Sequence, residues 1–93
     1  MRIATYEFIG GTTRVLTWVS SGVVVDSITC ALRDFDDAVI NTASVVSSGN
    51  GHYYAVMPHP VANRWVVNEW IAIIQANTYI SRQFGNGRLL EVD

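Results

Sequence analysis

The sequence contains no lysine. Its six positive charges are all arginines, and Arg2, Arg14, Arg33, Arg64, Arg82 and Arg88 are scattered along the chain. A Schiff-base or P-loop lysine is therefore excluded. Eight acidic residues bring the formal net charge to −2. Nucleic-acid binding lacks the concentrated positive surface that a phosphate backbone asks for. Adhesion to an anionic membrane lacks it equally. Cysteine is as scarce. Cys30 stands alone, so no intrachain disulfide can form, which is compatible with a reducing cytoplasm. Long hydrophobic runs are missing too. The longest apolar-rich stretch, Trp65 to Ile74, contains Asn68 and Glu69 and is too short to span a bilayer. Behind Met1-Arg2, Glu7 interrupts any apolar signal region, so no signal peptide is expected and synthesis is expected in the cytoplasm.

What the chain does have is apolar residues. They make up 49% of its 93 positions, which excludes a disordered tail and suits one domain, 1–93, with one core. Charged residues are only 15%, below the usual quarter. So small a domain has much surface for its volume, and some of the apolar surplus is expected outside the core. That favours self-association or packing against another protein.

The pattern is that of strands. In Ser27 to Arg33, Ile28, Cys30 and Leu32 alternate with Ser27, Thr29 and Arg33, as on a half-buried strand. Cys30 falls on the inward parity, where a thiol acts as a small hydrophobe. Thr5 to Ile9 reads as an edge strand broken by Gly10-Gly11. Thr12 to Val19 is rich in threonine and valine, which suit a pleated surface. Asp34 to Asp37 is a turn whose carboxylates can bond their own backbone. Ala38 to Thr42 and Ala43 to Val46 read as two short strands or as one strand with a bulge. Asn50-Gly51 closes the strongest turn, since both residues accept positive φ. In His52 to Met57, the set Tyr53, Ala55 and Met57 is placed inside, and His52, Tyr54 and Val56 outside. Pro58-His59-Pro60 ends that strand, and Pro60 to Asn63 is a loop.

Trp65 to Ile74 fits one face of a helix, but its β-branched residues and strand-rich context favour a strand. A bulge near Asn68-Glu69 would keep its inner face apolar. Gln75-Ala76-Asn77 turns the chain into Thr78 to Phe84. Gly85-Asn86-Gly87 reads as another turn, and Arg88 to Val92 as a last strand or a tail. About seven strands result, the number of an immunoglobulin-like antiparallel β-sandwich.

Chemical motifs are sparse. Asp34-Phe35-Asp36-Asp37 lacks the glycine and distal glutamate of a calcium loop. His52 and His59 differ in parity and match no zinc spacing, so they are read as surface histidines and no metal or cofactor is expected. There is no Gly-x-Ser-x-Gly elbow, and no catalytic residues are expected. The aromatics remain. Most should fill the core, but a surplus on a sheet face can stack on sugar rings or anchor a protein interface. Tyr54, beside His52 on the outer parity, is the first candidate. Trp65 or Trp70 is expected to face out as well, and Trp70 joins Tyr54 and His52 as an interaction candidate.

Four segments carry a resemblance: Ser27-Ile28-Thr29-Cys30-Ala31-Leu32-Arg33-Asp34, Gly51-His52-Tyr53, Arg64-Trp65-Val66-Val67 and Arg82-Gln83-Phe84. From Val24 to Phe84 the chain resembles small immunoglobulin-like domains found in bacteriophage and prophage structural proteins, tail and baseplate components included. The resemblance implies a non-enzymatic structural or interaction module, assembly into a virion, and no active site. Its partner would be another protein or a second copy of itself. The alternative is a carbohydrate-binding module using exposed aromatics.

Overall fold

The computed structural model describes residues 4–61 and 64–88. These form eight strands: β1 (Ala4–Ile9), β2 (Thr13–Val19), β3 (Ser27–Arg33), β4 (Val39–Ala43), β5 (Val45–Gly49), β6 (His52–Pro58), β7 (Trp65–Ile74) and β8 (Asn77–Arg88). Among the described residues there is no helix, and so none long and apolar enough to cross a membrane. One sheet has the order β1-β8-β7-β3-β4, the other β2-β6-β5. The fold is the expected β-sandwich.

Its core lies between the two sheets. Leu32 and Cys30 come from β3, Val66 and Trp70 from β7, Ala55 and Met57 from β6, Leu16 from β2 and Phe8 from β1. Strand periodicity of two accounts for most of this set. The inward parities read for β3 and β6 are the ones observed, with His52 and Val56 exposed on the other side of β6. The Asp34 turn forms as its composition requires: Asp34 Oδ1 accepts from the Asp36 and Ala38 amides at 2.9 and 3.0 Å. Asn50 and Gly51 adopt φ of 55° and 77°. Gln75 and Ala76 both have positive φ, the two-residue hairpin turn between β7 and β8, and Asp26 Oδ2 holds the Gln75 amide at 3.0 Å.

Several expectations are corrected. The sandwich is not wholly antiparallel: β1 pairs parallel to β8. After β1 the chain crosses to the other sheet, and β8 later reaches the vacated edge running the same way. The weak pair resolves into β4 and β5, which belong to different sheets and raise the count to eight. No bulge interrupts β7, whose register against both β3 and β8 is continuous. Gly85-Asn86-Gly87 is not a turn but the end of β8, extended because β7 and β1 flank it on both sides. Of the expected strand or tail after it, residues 89–92 lie outside the described residues, as do 62–63 of the loop before β7.

Glycine is required at position 85 for space. A Cβ there would stand 2.6 Å from Cζ of Tyr6, and the Tyr6 ring cannot step aside because its hydroxyl is hydrogen-bonded to His59 at 2.8 Å. Gly85→Ala should therefore destabilise the fold by ~1–3 kcal/mol, the usual cost of overpacking. Urea unfolding measures this; an unchanged midpoint would show that β1 yields freely.

Candidate interaction surface

Paired residues on neighbouring strands share a sheet face, so the register defines each surface. On the three-stranded sheet, Val15 opposes Val56, Thr17 opposes Tyr54, and Val19 opposes His52. On the other flank of β6, Val46 opposes Tyr54. Tyr54 thus sits half-buried at the centre of the outer face, with His52 exposed beside it. The four valines around them are 44–58% exposed. No aspartate, glutamate or arginine stands among these paired positions. Both sequence candidates therefore lie on one uncharged, apolar face.

Trp70 does not join them. It is 1% exposed and belongs to the core. Because β7 has no bulge, its even positions Val66, Asn68, Trp70 and Ala72 all point inward. It is Trp65, on the odd parity, that faces out, with 45% exposure. Asn68 made the parity hard to read. It is buried because Cys30 Sγ donates to its Oδ1 at 3.1 Å and its Nδ2 donates to Gln83 Oε1 at 3.1 Å. A buried amide with partners is tolerated where one without would cost ~1–3 kcal/mol. Burial pushes the Cys30 thiol up to about 12, so it is no nucleophile at neutral pH.

The outer face of the five-stranded sheet is built differently. Glu69 points outward yet is 5% exposed. Arg33 Nε donates to its Oε1 at 3.2 Å and Arg82 Nε to its Oε2 at 3.1 Å, so two guanidinium groups cover one carboxylate. Beside them is an open cleft of about 480 Å³ walled by Phe35, Val67 and Phe84. Phe35 and Phe84 meet edge to face, with an interplanar angle of 89°. Here the charges are committed to one another, and Arg33 also reaches Asp37 at 3.7 Å.

The second histidine departs from its reading as a surface residue. His59 is 4% exposed, between the sheets. Its Nδ1–H donates to the Met57 carbonyl at 3.0 Å, which leaves Nε2 to accept from the Tyr6 hydroxyl at 2.8 Å. Phe8 packs on its ring with centroids 4.5 Å apart, and the Arg14 guanidinium lies 5.0 Å from the Tyr6 ring centroid. Burial lowers the proton affinity of His59, the Met57 carbonyl raises it in part, and Arg14 lowers it further. Burial likewise raises the Tyr6 phenol well above its ordinary value, against the lowering effect of Arg14. A local signal for this burial is absent, since the partners come from β1 and β2. Among the described residues, no three of histidine, cysteine, aspartate and glutamate gather as a metal site would need.

No family model and no curated protein matches the chain. Among solved structures, the crystal structure of CopC from Methylosinus trichosporium OB3b is similar, with a TM-score of 0.69. The match covers 96% of this chain and 88% of that one at 10% sequence identity. At that identity the likeness carries the sandwich fold alone. It lends no support to the phage resemblance.

The His59 geometry has a consequence for stability. A histidine whose proton affinity is lowered in the fold takes up a proton more readily when unfolded. Stability should hold above about pH 7 and fall as pH drops through the ordinary value of 6.5. Urea midpoints at about pH 7.5 and 5.5 measure it, in the wild type and in His59→Gln, in which this loss should be absent. A wild-type midpoint that stays level across that window would mean that His59 takes up its proton as readily in the fold as in the unfolded chain.

Proposed function

We propose that this chain is a non-enzymatic β-sandwich module that works by associating with protein, in the first instance with further copies of itself. The observation that supports the reading is the outer face of the three-stranded sheet: exposed valines around Tyr54, with no charged side chain among them. Contiguous apolar surface of this kind marks interaction sites in soluble proteins. An uncharged face suits a second copy, because a self-complementary contact brings like groups together and a charged face would repel itself. The non-enzymatic part of the reading draws on the same chemistry. The thiol is inert, the central carboxylate of the open cleft is held by two arginines, and His59 is enclosed.

The carbohydrate alternative asks for coplanar exposed rings. Phe35 and Phe84 stand perpendicular, and Tyr79 lies on the opposite parity of the β7–β8 hairpin from Trp65. The arrangement favours the protein-binding reading. Assembly into a virion is a narrower expectation of the sequence resemblance, and this reading does not depend on it.

Light scattering after size exclusion, over a concentration series, tests the proposal. The mass should exceed 10.3 kDa at high concentration and approach it on dilution. Val56→Asp puts a charge in the middle of that face, at a position 50% exposed, and separates two routes to association: a contact made face to face should be lost, and one made along a sheet edge should persist. A monomer at every concentration would sink self-association as the function.

A further inference from the structure

The hydrogen-bond phase of β2 shows which of its backbone groups are committed. The His59 amide donates to the Thr12 carbonyl at 2.9 Å, and the Ser20 amide to the Gly51 carbonyl at 2.8 Å. In an antiparallel pair, hydrogen-bonded positions alternate with free ones. Arg14, Leu16 and Trp18 therefore direct their backbone groups at β6. Thr13, Val15, Thr17 and Val19 direct theirs outward, to the side of the sheet where, among the described residues, β2 is the edge strand.

The other three edges carry irregularities that discourage pairing. Arg14 Nη1 bonds the Glu7 carbonyl of β1 at 2.9 Å. The register between β3 and β4 shifts at Leu32/Arg33, and that between β5 and β6 shifts at Ser47/Gly49. β2 carries a single guard, the inward-parity Arg14, whose guanidinium is engaged with the Glu7 carbonyl and lies near the Tyr6 ring of β1; its register is otherwise continuous over seven residues, with no proline. Bulges, charge and proline are the usual means of protecting an edge.

We propose that β2 pairs antiparallel with β2 of a second copy about a two-fold axis at Leu16, fusing the two three-stranded sheets into one six-stranded sheet. The inference rests on the self-association reading above and names its contact. The register follows from the phase. Outward-directed positions must meet outward-directed positions, and centring on Leu16 sets Thr13 against Val19 and Val15 against Thr17 of the second copy. Every free group on the strand is then used, for about eight hydrogen bonds. Moving the axis to Val15 or Thr17 strands one end of each β2. Charge agrees with the Leu16 centre. Arg14, the one charged residue of β2, comes opposite Trp18 of the second copy rather than opposite Arg14, so like charges stay apart and a cation–π contact becomes available. A two-fold axis normal to the sheet also keeps both valine faces on one side, as a single continuous surface.

Two experiments test this. Thr17→Pro removes an outward amide that bonds nothing among the described residues, and proline is tolerated at such an edge position. Circular dichroism and a urea midpoint first establish that the variant folds. It should then run at 10.3 kDa at concentrations where the wild type is twice as heavy, while Val56→Asp, which leaves the edge intact, still dimerises. The second experiment holds even if the proline variant fails to fold. Val15→Cys mixed with Thr17→Cys should give a disulfide-linked pair under mild oxidation, since residues opposed across strands lie within bridging distance. Each variant alone should give no such product, because each new cysteine faces a valine or threonine; Cys30 is buried and takes no part. Cross-linking by either variant alone would overturn the register. A folded Thr17→Pro that remains dimeric would overturn the β2 contact and leave self-association standing. A wild type that is monomeric throughout would overturn both.

Discussion

The structure depends on β7 being enclosed on both edges and on its inner face. β3 and β8 occupy its edges with unbroken register, so its backbone groups are satisfied by strand pairing. On its inner face Val66, Asn68, Trp70 and Ala72 are buried, and on its outer face Glu69 is nearly so. Buried polar side chains such as these can be kept only where partners come to meet them. Asn68 finds Cys30 on β3 and Gln83 on β8, and Glu69 finds Arg33 on β3 and Arg82 on β8. The same two neighbouring strands supply the backbone bonds and the side-chain partners. Register and polar satisfaction are therefore one constraint. A slip of one residue would turn Trp70 outward and bring Glu69 into the apolar core.

How legible this was in the sequence depended on whether the partners were local. β3 and β6 show clean alternation, and Cys30, Ala55 and Met57 follow directly from it. The Asp34 turn and Asn50-Gly51 are local chemistry, and they form where composition places them. β7 is different. Asn68 and Glu69 stand on opposite parities, so neither parity looks apolar throughout, and a bulge is the natural repair. The structure needs none, because Gln83 and Arg82 lie across the hairpin and Cys30 and Arg33 lie some 35–40 positions away in sequence. The error over Trp70 has the same origin. Gly85-Asn86-Gly87 misleads because its strand conformation comes from β1, at the far end of the chain, and His59 because Tyr6 and Phe8 come from there too.

The surface was read better than the core in one respect. Tyr54 and His52 needed only the parity of β6, and they lie together on the outer face. What the sequence could not show is the company they keep. Val15, Val19 and Val46 reach that face through pairings between separate strands, and only the assembled sheet makes a patch of residues that look unremarkable singly.

Core and surface meet at Arg14. It is the one charge on β2, and it stands on the inward parity of an edge strand, where a guanidinium has little apolar company. Its Nη1 bonds the Glu7 carbonyl and its plane lies near the Tyr6 ring, so the charge is drawn towards β1. Tyr6 holds that place because its hydroxyl is bonded to His59 and Gly85 leaves room for its ring. One part-buried hydrogen bond thus fixes the Tyr6 ring and the Arg14 guanidinium lies beside it, while the outer face of β2 is neutral because Val15, Thr17 and Val19 occupy it.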